Sequence, residues 1–319
     1  MIEQELSVQG DAGRLAGTLC LPAKDGRFPM LLMVNGSGPL DRDSNMPPYR
    51  FDVFNTLARH LAERGIASFR YDKRGIGDSE GNYKTTSHYE LVADASACFK
   101  ALCQHSNTDP AQVYVLGYSE GSIIVPQMVL QCTEPVAGLI LLTPFIEQGE
   151  ALLRRQAGQM RPMAGRLKGW KALPLKWYFR LFDPVKAQDK LIRKLHATTI
   201  PVIRFGLKKL PAKWLREFMA IEPVSIFRQI STPCLIIGGG KDVQCRPQDV
   251  AAIAQTVQGP VETHLLENMT HILRNDPGPA SLFSYKKLLK KPVEAKVLTV
   301  VSEWVIRHSC SAKGVTGSD

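Results

Sequence analysis

The chain has 319 residues, 44% of them hydrophobic, with a formal net charge of +10, which is enough apolar material for one substantial core in a size range that α/β domains often keep undivided. It opens MIEQELSVQGDAGRL, acidic where a secretory signal is positive, and its longest apolar stretch, 136-VAGLILLTPFI-146, falls far short of the ~20 residues that cross a bilayer. A cytoplasmic protein without a transmembrane helix is therefore expected, and its seven scattered cysteines, with no C-x-x-C pair and no histidine at zinc-ligand spacing, are read as reduced core thiols rather than metal ligands.

Residues 3–22 carry turn signals near their middle and predict an antiparallel hairpin at a sheet edge. The run 30-MLLMVN-35 then reads as a buried strand, 51-FDVFNTLARHLAERG-65 as a helix with apolar residues every three or four positions, and 66-IASFRYD-72 as a second strand. Helix 87–104, strand 112–117, helix 120–131 and strand 137–144 continue the rhythm. After an interruption it resumes with strand 233–240, helix 247–257, strand 261–267 and a closing helix at 293–308. Strands alternating with helices of this length predict a mostly parallel central sheet covered on both faces, an α/β fold.

The interruption sets the domain plan: residues 1–145 and 226–310 form the core, 146–225 form a helical cap without a clear buried strand, and 311–319 read as a disordered tail. The cap holds 17 Lys/Arg against 6 Asp/Glu, while the remainder of the chain is close to neutral. Its segments 170-WKALPLKWYFRLF-182 and 203-IRFGLKKLPAKWLREFM-219 mix aromatic and basic residues. Such segments pack a cap onto a core, line an acyl pocket, attract an anionic leaving group such as a CoA thioester, or make peripheral contact with an anionic membrane surface. No nucleic-acid-binding motif accompanies the charge, so nucleic acid is not an expected partner.

The chemistry concentrates in 113-VYVLGYSEGS-122, where G-x-S-x-G (Gly117, Ser119, Gly121) follows an apolar strand and precedes a helix. A turn that tight needs small residues around the serine and lifts its hydroxyl clear of the backbone. A serine hydroxyl needs a base, and the base needs an orienting acid. In the chain order serine, acid, histidine, the candidates are Asp242, in the loop after strand 233–240, and His271, in the loop after strand 261–267. Asp276 is a rival acid, whereas His264 and His308 fall inside a strand and a helix. The oxyanion of a tetrahedral intermediate needs about two N–H donors; the backbone N–H groups of Glu120, after the nucleophile, and of Ser37, in the loop 35-NGSGPLDRD-43, are the candidates.

These motifs resemble those of esterase- and thioesterase-like α/β hydrolases that carry an HGSGP loop, a D-x-RG-x-G-x-S turn and a GHSEGG elbow. Here they read NGSGPLDRD (35–43), DKRGIGDSEG (72–81) and GYSEGSIIVP (117–126), with GGGKDVQ (238–244) similar to the acid loop and ENMTHIL (267–273) to the histidine loop. The likeness covers residues 28–145 and 225–308 and departs at Asn35 and Tyr118, where the group has histidine. It implies an α/β-hydrolase fold and cleavage of a carboxylic ester or thioester, without cofactor, through an acyl-enzyme on Ser119. An acyltransferase or C–C bond hydrolase using the same triad, and a non-catalytic binding protein on the same fold, stand as alternatives. The sequence leaves the small-molecule substrate and the oligomeric state open.

Overall fold

The computed structural model describes residues 1–314. In chain order the elements are β1 (Ile2–Gly10), β2 (Gly13–Leu21), β3 (Phe28–Val34), α1 (Val53–Ala62), β4 (Ala67–Tyr71), α2 (His88–Cys103), β5 (Thr108–Tyr118), α3 (Gly121–Gln131) and β6 (Gly138–Leu142). The intervening segment holds α4 (Gly149–Arg166), a short 3-10 turn, α5 (Leu173–Leu181), α6 (Pro184–His196), β7 (Val202–Phe205), β8 (Lys208–Pro211), α7 (Ala212–Ala220) and α8 (Pro223–Phe227). The chain closes with β9 (Cys234–Gly239), α9 (Asp249–Ala254), β10 (Val261–Leu266), α10 (Tyr285–Leu288) and α11 (Ala295–Gly314).

Eight strands form one sheet in the order β1-β2-β4-β3-β5-β6-β9-β10. The β1–β2 hairpin lies antiparallel at one edge, β2 pairs antiparallel with β4, and the six strands β4, β3, β5, β6, β9 and β10 run parallel. The central strands are apolar on both sides because both sides are covered. In β3, Met30, Leu32 and Val34 face α2 and α3, whereas Leu31 and Met33 face α1 and α11. The same alternation in β5 sends Val113 and Val115 to the first side and Tyr114, Leu116 and Tyr118 to the second. Trp304 of α11, fully buried, meets the ring of Tyr114 edge-on at 5.9 Å between centroids.

Two expectations need correction. The segment 146–225 is not wholly helical: β7 and β8 pair antiparallel in a two-stranded ribbon. Lys208 and Lys209 are exposed there and Ile203 alone is buried, so no buried apolar run marks either strand. Ile203 joins Ile192, Leu195, Ala212, Leu215 and Met219 in a small cluster of the segment's own. The expected tail 311–319 also shortens, because α11 continues to Gly314; residues 315–319 lie outside the described residues.

Candidate active site

Three loops leaving the carboxyl ends of parallel strands bring Ser119, Asp242 and His271 together. Ser119 follows β5 with φ of 55°, a left-handed conformation unusual for a residue with a Cβ. The flanking glycines explain how the turn closes. A Cβ on Gly117 would lie 2.1 Å from the carbonyl oxygen of Gly121, and one on Gly121 would lie 2.3 Å from that of Val34. Gly36 also presses on Ser119, since a Cβ there would come within 2.9 Å of Ser119 Cβ.

Ser119 Oγ lies 2.9 Å from His271 Nε2, and His271 Nδ1 lies 2.8 Å from Asp242 Oδ2. The other oxygen of Asp242 accepts the backbone N–H groups of Gln244 and Cys245 at 2.8 and 2.9 Å. The glycines before Asp242 have a related reason: Cβ atoms on Gly239 and Gly240 would strike the carbonyls of Met269 and Glu267, so the acid and histidine loops meet backbone to backbone. Tyr118 completes the mounting. Its hydroxyl donates to the His271 carbonyl at 2.8 Å and its ring stacks on the imidazole at 5.7 Å. Burial, with the Asp242 carboxylate adding to it, pushes the Tyr118 phenol well above its usual pKa, so the hydroxyl stays a donor. Asp276 does not reach the imidazole; it accepts from the backbone of Gly278.

Ser37 and Glu120 both line the cavity over Ser119, and among the described residues neither backbone N–H is consumed by a protein acceptor. Asn35 is turned away from this cavity, accepting from Ser44 Oγ and donating to the Asp41 carbonyl to hold the loop 35–45 in shape.

The Glu120 side chain is 0% exposed and sits in a buried polar cluster for which the sequence gives few signals. Lys73 Nζ lies 3.6 Å from Glu120 Oε2 and donates to the Gly36 carbonyl at 2.5 Å. His88 Nδ1 and Trp214 Nε1 approach Glu120 Oε1 at 3.2 and 2.6 Å. Burial alone would raise the Glu120 pKa, but the Lys73 cation and the bonds from His88 and Trp214 reverse it and hold the carboxyl at about 2. His88 reaches this point because a reciprocal capping box between Ser87 and Glu90 starts α2 there.

The cavity over Ser119 has a volume of about 300 Å³. Its walls are mainly apolar, with Leu40, Met46 and Phe51 from the loop after β3, Phe145, Leu152 and Leu153 around the start of α4, and the stacked rings of Trp214 and Phe218 from α7. Hydrogen bonds tie the segment between β6 and β9 to the site. Trp214 reaches Glu120, and Arg155 and Gln156 of α4 donate to the Gln244 carbonyl at 2.8 and 3.0 Å. Asp242, Cys245 and His271 bring ligand-type atoms within 4.8 Å of one another. They make a poor metal site, because both imidazole nitrogens are engaged and burial pushes the Cys245 thiol well above its usual pKa.

The family model of S33 serine aminopeptidases, Hydrolase_4, matches residues 50–278. The chain belongs to that family. It is an α/β hydrolase of the serine-hydrolase class. Esterase EstD of Thermotoga maritima is 25% identical over 307 residues, which cover 96% of this chain and 68% of EstD. Among solved structures, Est1E from Butyrivibrio proteoclasticus, with ferulic acid bound, superposes with a TM-score of 0.63 at 17% identity, covering 96% of this chain and 99% of that one. The esterase domain from a Rhodothermus marinus protein gives 0.58 at 17% identity, over 96% and 99% of the two chains. At these identities the structural likenesses speak to the fold.

Proposed function

We propose that the chain hydrolyses a carboxylic ester or thioester with a neutral, apolar acyl group, through an acyl-enzyme on Ser119. The observation that carries this reading is the unbroken hydrogen-bonded series Ser119–His271–Asp242 at 2.9 and 2.8 Å, opening onto a mainly apolar cavity. Ser119 Oγ attacks the acyl carbon as its proton passes to His271 Nε2, while Asp242 accepts from Nδ1–H and stabilises the imidazolium. The oxyanion takes hydrogen bonds from the Ser37 and Glu120 N–H groups. His271 then protonates the leaving oxygen or sulfur, and a water activated by the same imidazole releases the acid.

The cavity argues for an ester over the amino-terminal peptide bond that the family description suggests. A substrate ammonium drawn out of water into such a cavity is best stabilised by a carboxylate facing it. Among the described residues lining the cavity the sole carboxylate is Glu120, which is buried and bound to Lys73, His88 and Trp214. The name of EstD points the same way. The test compares kcat/KM for p-nitrophenyl esters of increasing chain length with amino-acid p-nitroanilides. A maximum among the esters supports the proposal, and faster cleavage of the anilides overturns it.

We also propose that residues 146–225 form a cap whose outer face rests on an anionic lipid surface. Leu173, Trp177 and Leu181 recur every four residues along α5 and are 61%, 66% and 67% exposed. Residues 166–213 carry thirteen Lys/Arg and two Asp. A second copy of the chain would meet this face with like charge, whereas anionic headgroups complement it and the exposed Trp and Leu suit the interfacial layer. The helix lies near the cavity: Phe179 of α5 meets the ring of Phe283 at 6.3 Å, two residues before the cavity-lining Tyr285.

A further inference from the structure

Lys73 and Glu120 form an ion pair with 5% and 0% side-chain exposure directly behind the loop and the turn that flank Ser119. Buried pairs of this kind contribute little net stability, because desolvation offsets most of their attraction. Their placement here makes sense on another ground. Lys73 Nζ donates to the carbonyl of Gly36, whose peptide unit also carries the N–H of Ser37. That peptide is trans, the single cis bond among the described residues being Pro47–Pro48. In a trans peptide the C=O and N–H point in opposite directions. Holding the carbonyl on the Lys73 side therefore turns the Ser37 N–H away from Lys73, toward the cavity that Gly36, Ser37 and Ser119 line. The cation also polarises that peptide and strengthens its N–H as a donor.

We infer that the buried Lys73–Glu120 pair is a positioning device for the oxyanion hole, Lys73 orienting the Gly36–Ser37 peptide while Glu120 anchors Lys73 and supplies its own N–H as the second donor. The inference rests on the proposed roles of Ser37 and Glu120 as oxyanion donors. Charge balance gives Lys73 a second task. A bare carboxylate on the residue after the nucleophile would repel the developing oxyanion, and Lys73 together with the bonds from His88 and Trp214 neutralises it. His88 is in turn held by Gln127, whose amide nitrogen lies 2.8 Å from His88 Nε2, and by Glu217 of α7, which accepts the His88 backbone N–H at 2.8 Å. The oxyanion side of the site is thus braced by α2, α3 and α7 at once.

The test uses the full chain and the variants Lys73→Met, Glu120→Gln and Lys73→Met/Glu120→Gln. The double variant removes both charges at nearly constant volume, whereas the single lysine variant leaves a buried carboxylate without its counter-charge. Turnover of a p-nitrophenyl ester is expressed per serine titrated with a fluorophosphonate, which removes any unfolded fraction from the comparison. The expected order of kcat is parent, Glu120→Gln, double variant, Lys73→Met. The double variant should lie roughly 10- to 1,000-fold below the parent, the range seen when an oxyanion donor is lost. KM should stay within about threefold, and affinity for a boronic acid that forms a tetrahedral serine adduct should fall in parallel with kcat. A double variant that unfolds at lower temperature yet keeps parental kcat and boronate affinity overturns the inference and leaves the pair a structural one. If the parent itself has no titratable serine, the hydrolase reading fails instead, so the two failures are distinct.

Discussion

At the residue scale, the mounting of the imidazole yields a specific expectation. Tyr118→Phe removes the hydroxyl that fixes the His271 carbonyl but keeps the stacked ring, so kcat should fall about 3- to 10-fold with little change in melting temperature. Paired measurements of kcat and Tm check this, and an unchanged kcat would show that the backbone of the histidine loop needs no such support. Glu120 gives a second expectation. Its carboxyl lies at about 2 in the fold against an ordinary 4.5, so ionised Glu120 stabilises the fold fully above pH 4.5. As pH falls from 4.5 toward 2 that contribution is progressively lost, because the protonated carboxyl no longer pairs with Lys73, which stays charged. Urea unfolding of the parent and of Glu120→Gln across this range should give curves that converge as pH falls. Ser119, Asp242 and His271 were legible because each sits in a short motif after a predicted strand. Lys73, His88 and Trp214 were not, since their meeting depends on three elements converging in space. The buried lysine in 72-DKRG-75 was the available signal, and charge alone in a loop does not announce burial.

At the scale of elements, the parallel strands and their covering helices were readable because burial on both sheet faces demands near-continuous apolar runs and helices show their three-and-four spacing. The β7–β8 ribbon escaped because each strand is only four residues long and Ile203 alone is buried, too little for a strand period to show. The sharpest test at this scale is the packing of α3 on β3. Gly121→Ala places a methyl 2.3 Å from the Val34 carbonyl, a backbone contact that cannot yield cheaply. A loss of several kcal/mol of stability and of nearly all esterase activity is expected, as for other overpacked core sites. Denaturant melts and activity assays would decide the matter, and a stable, active variant would contradict the described turn.

For the whole molecule, the uneven charge is the feature that composition announced and structure distributed. With the basic residues concentrated outside the catalytic core, the protein should sediment with vesicles containing anionic lipid and not with purely zwitterionic ones, the binding weakening as salt rises. Trp177→Ser/Leu181→Ser should reduce that binding while leaving turnover of a soluble short-chain ester unchanged. No sedimentation with anionic vesicles at low salt would remove the membrane proposal without touching the catalytic one. The sequence could place aromatic and basic residues in the same segment, but which of them face outward depends on how α5 packs against its neighbours.

The central claim is that Ser119 is an activated nucleophile, and covalent labelling tests it most directly. The intact protein treated with a fluorophosphonate should gain one phosphonyl group, located by peptide mass spectrometry on Ser119, and Ser119→Ala should gain none. Failure of the intact protein to label, or labelling on another residue with Ser119→Ala still turning over ester, would contradict the account.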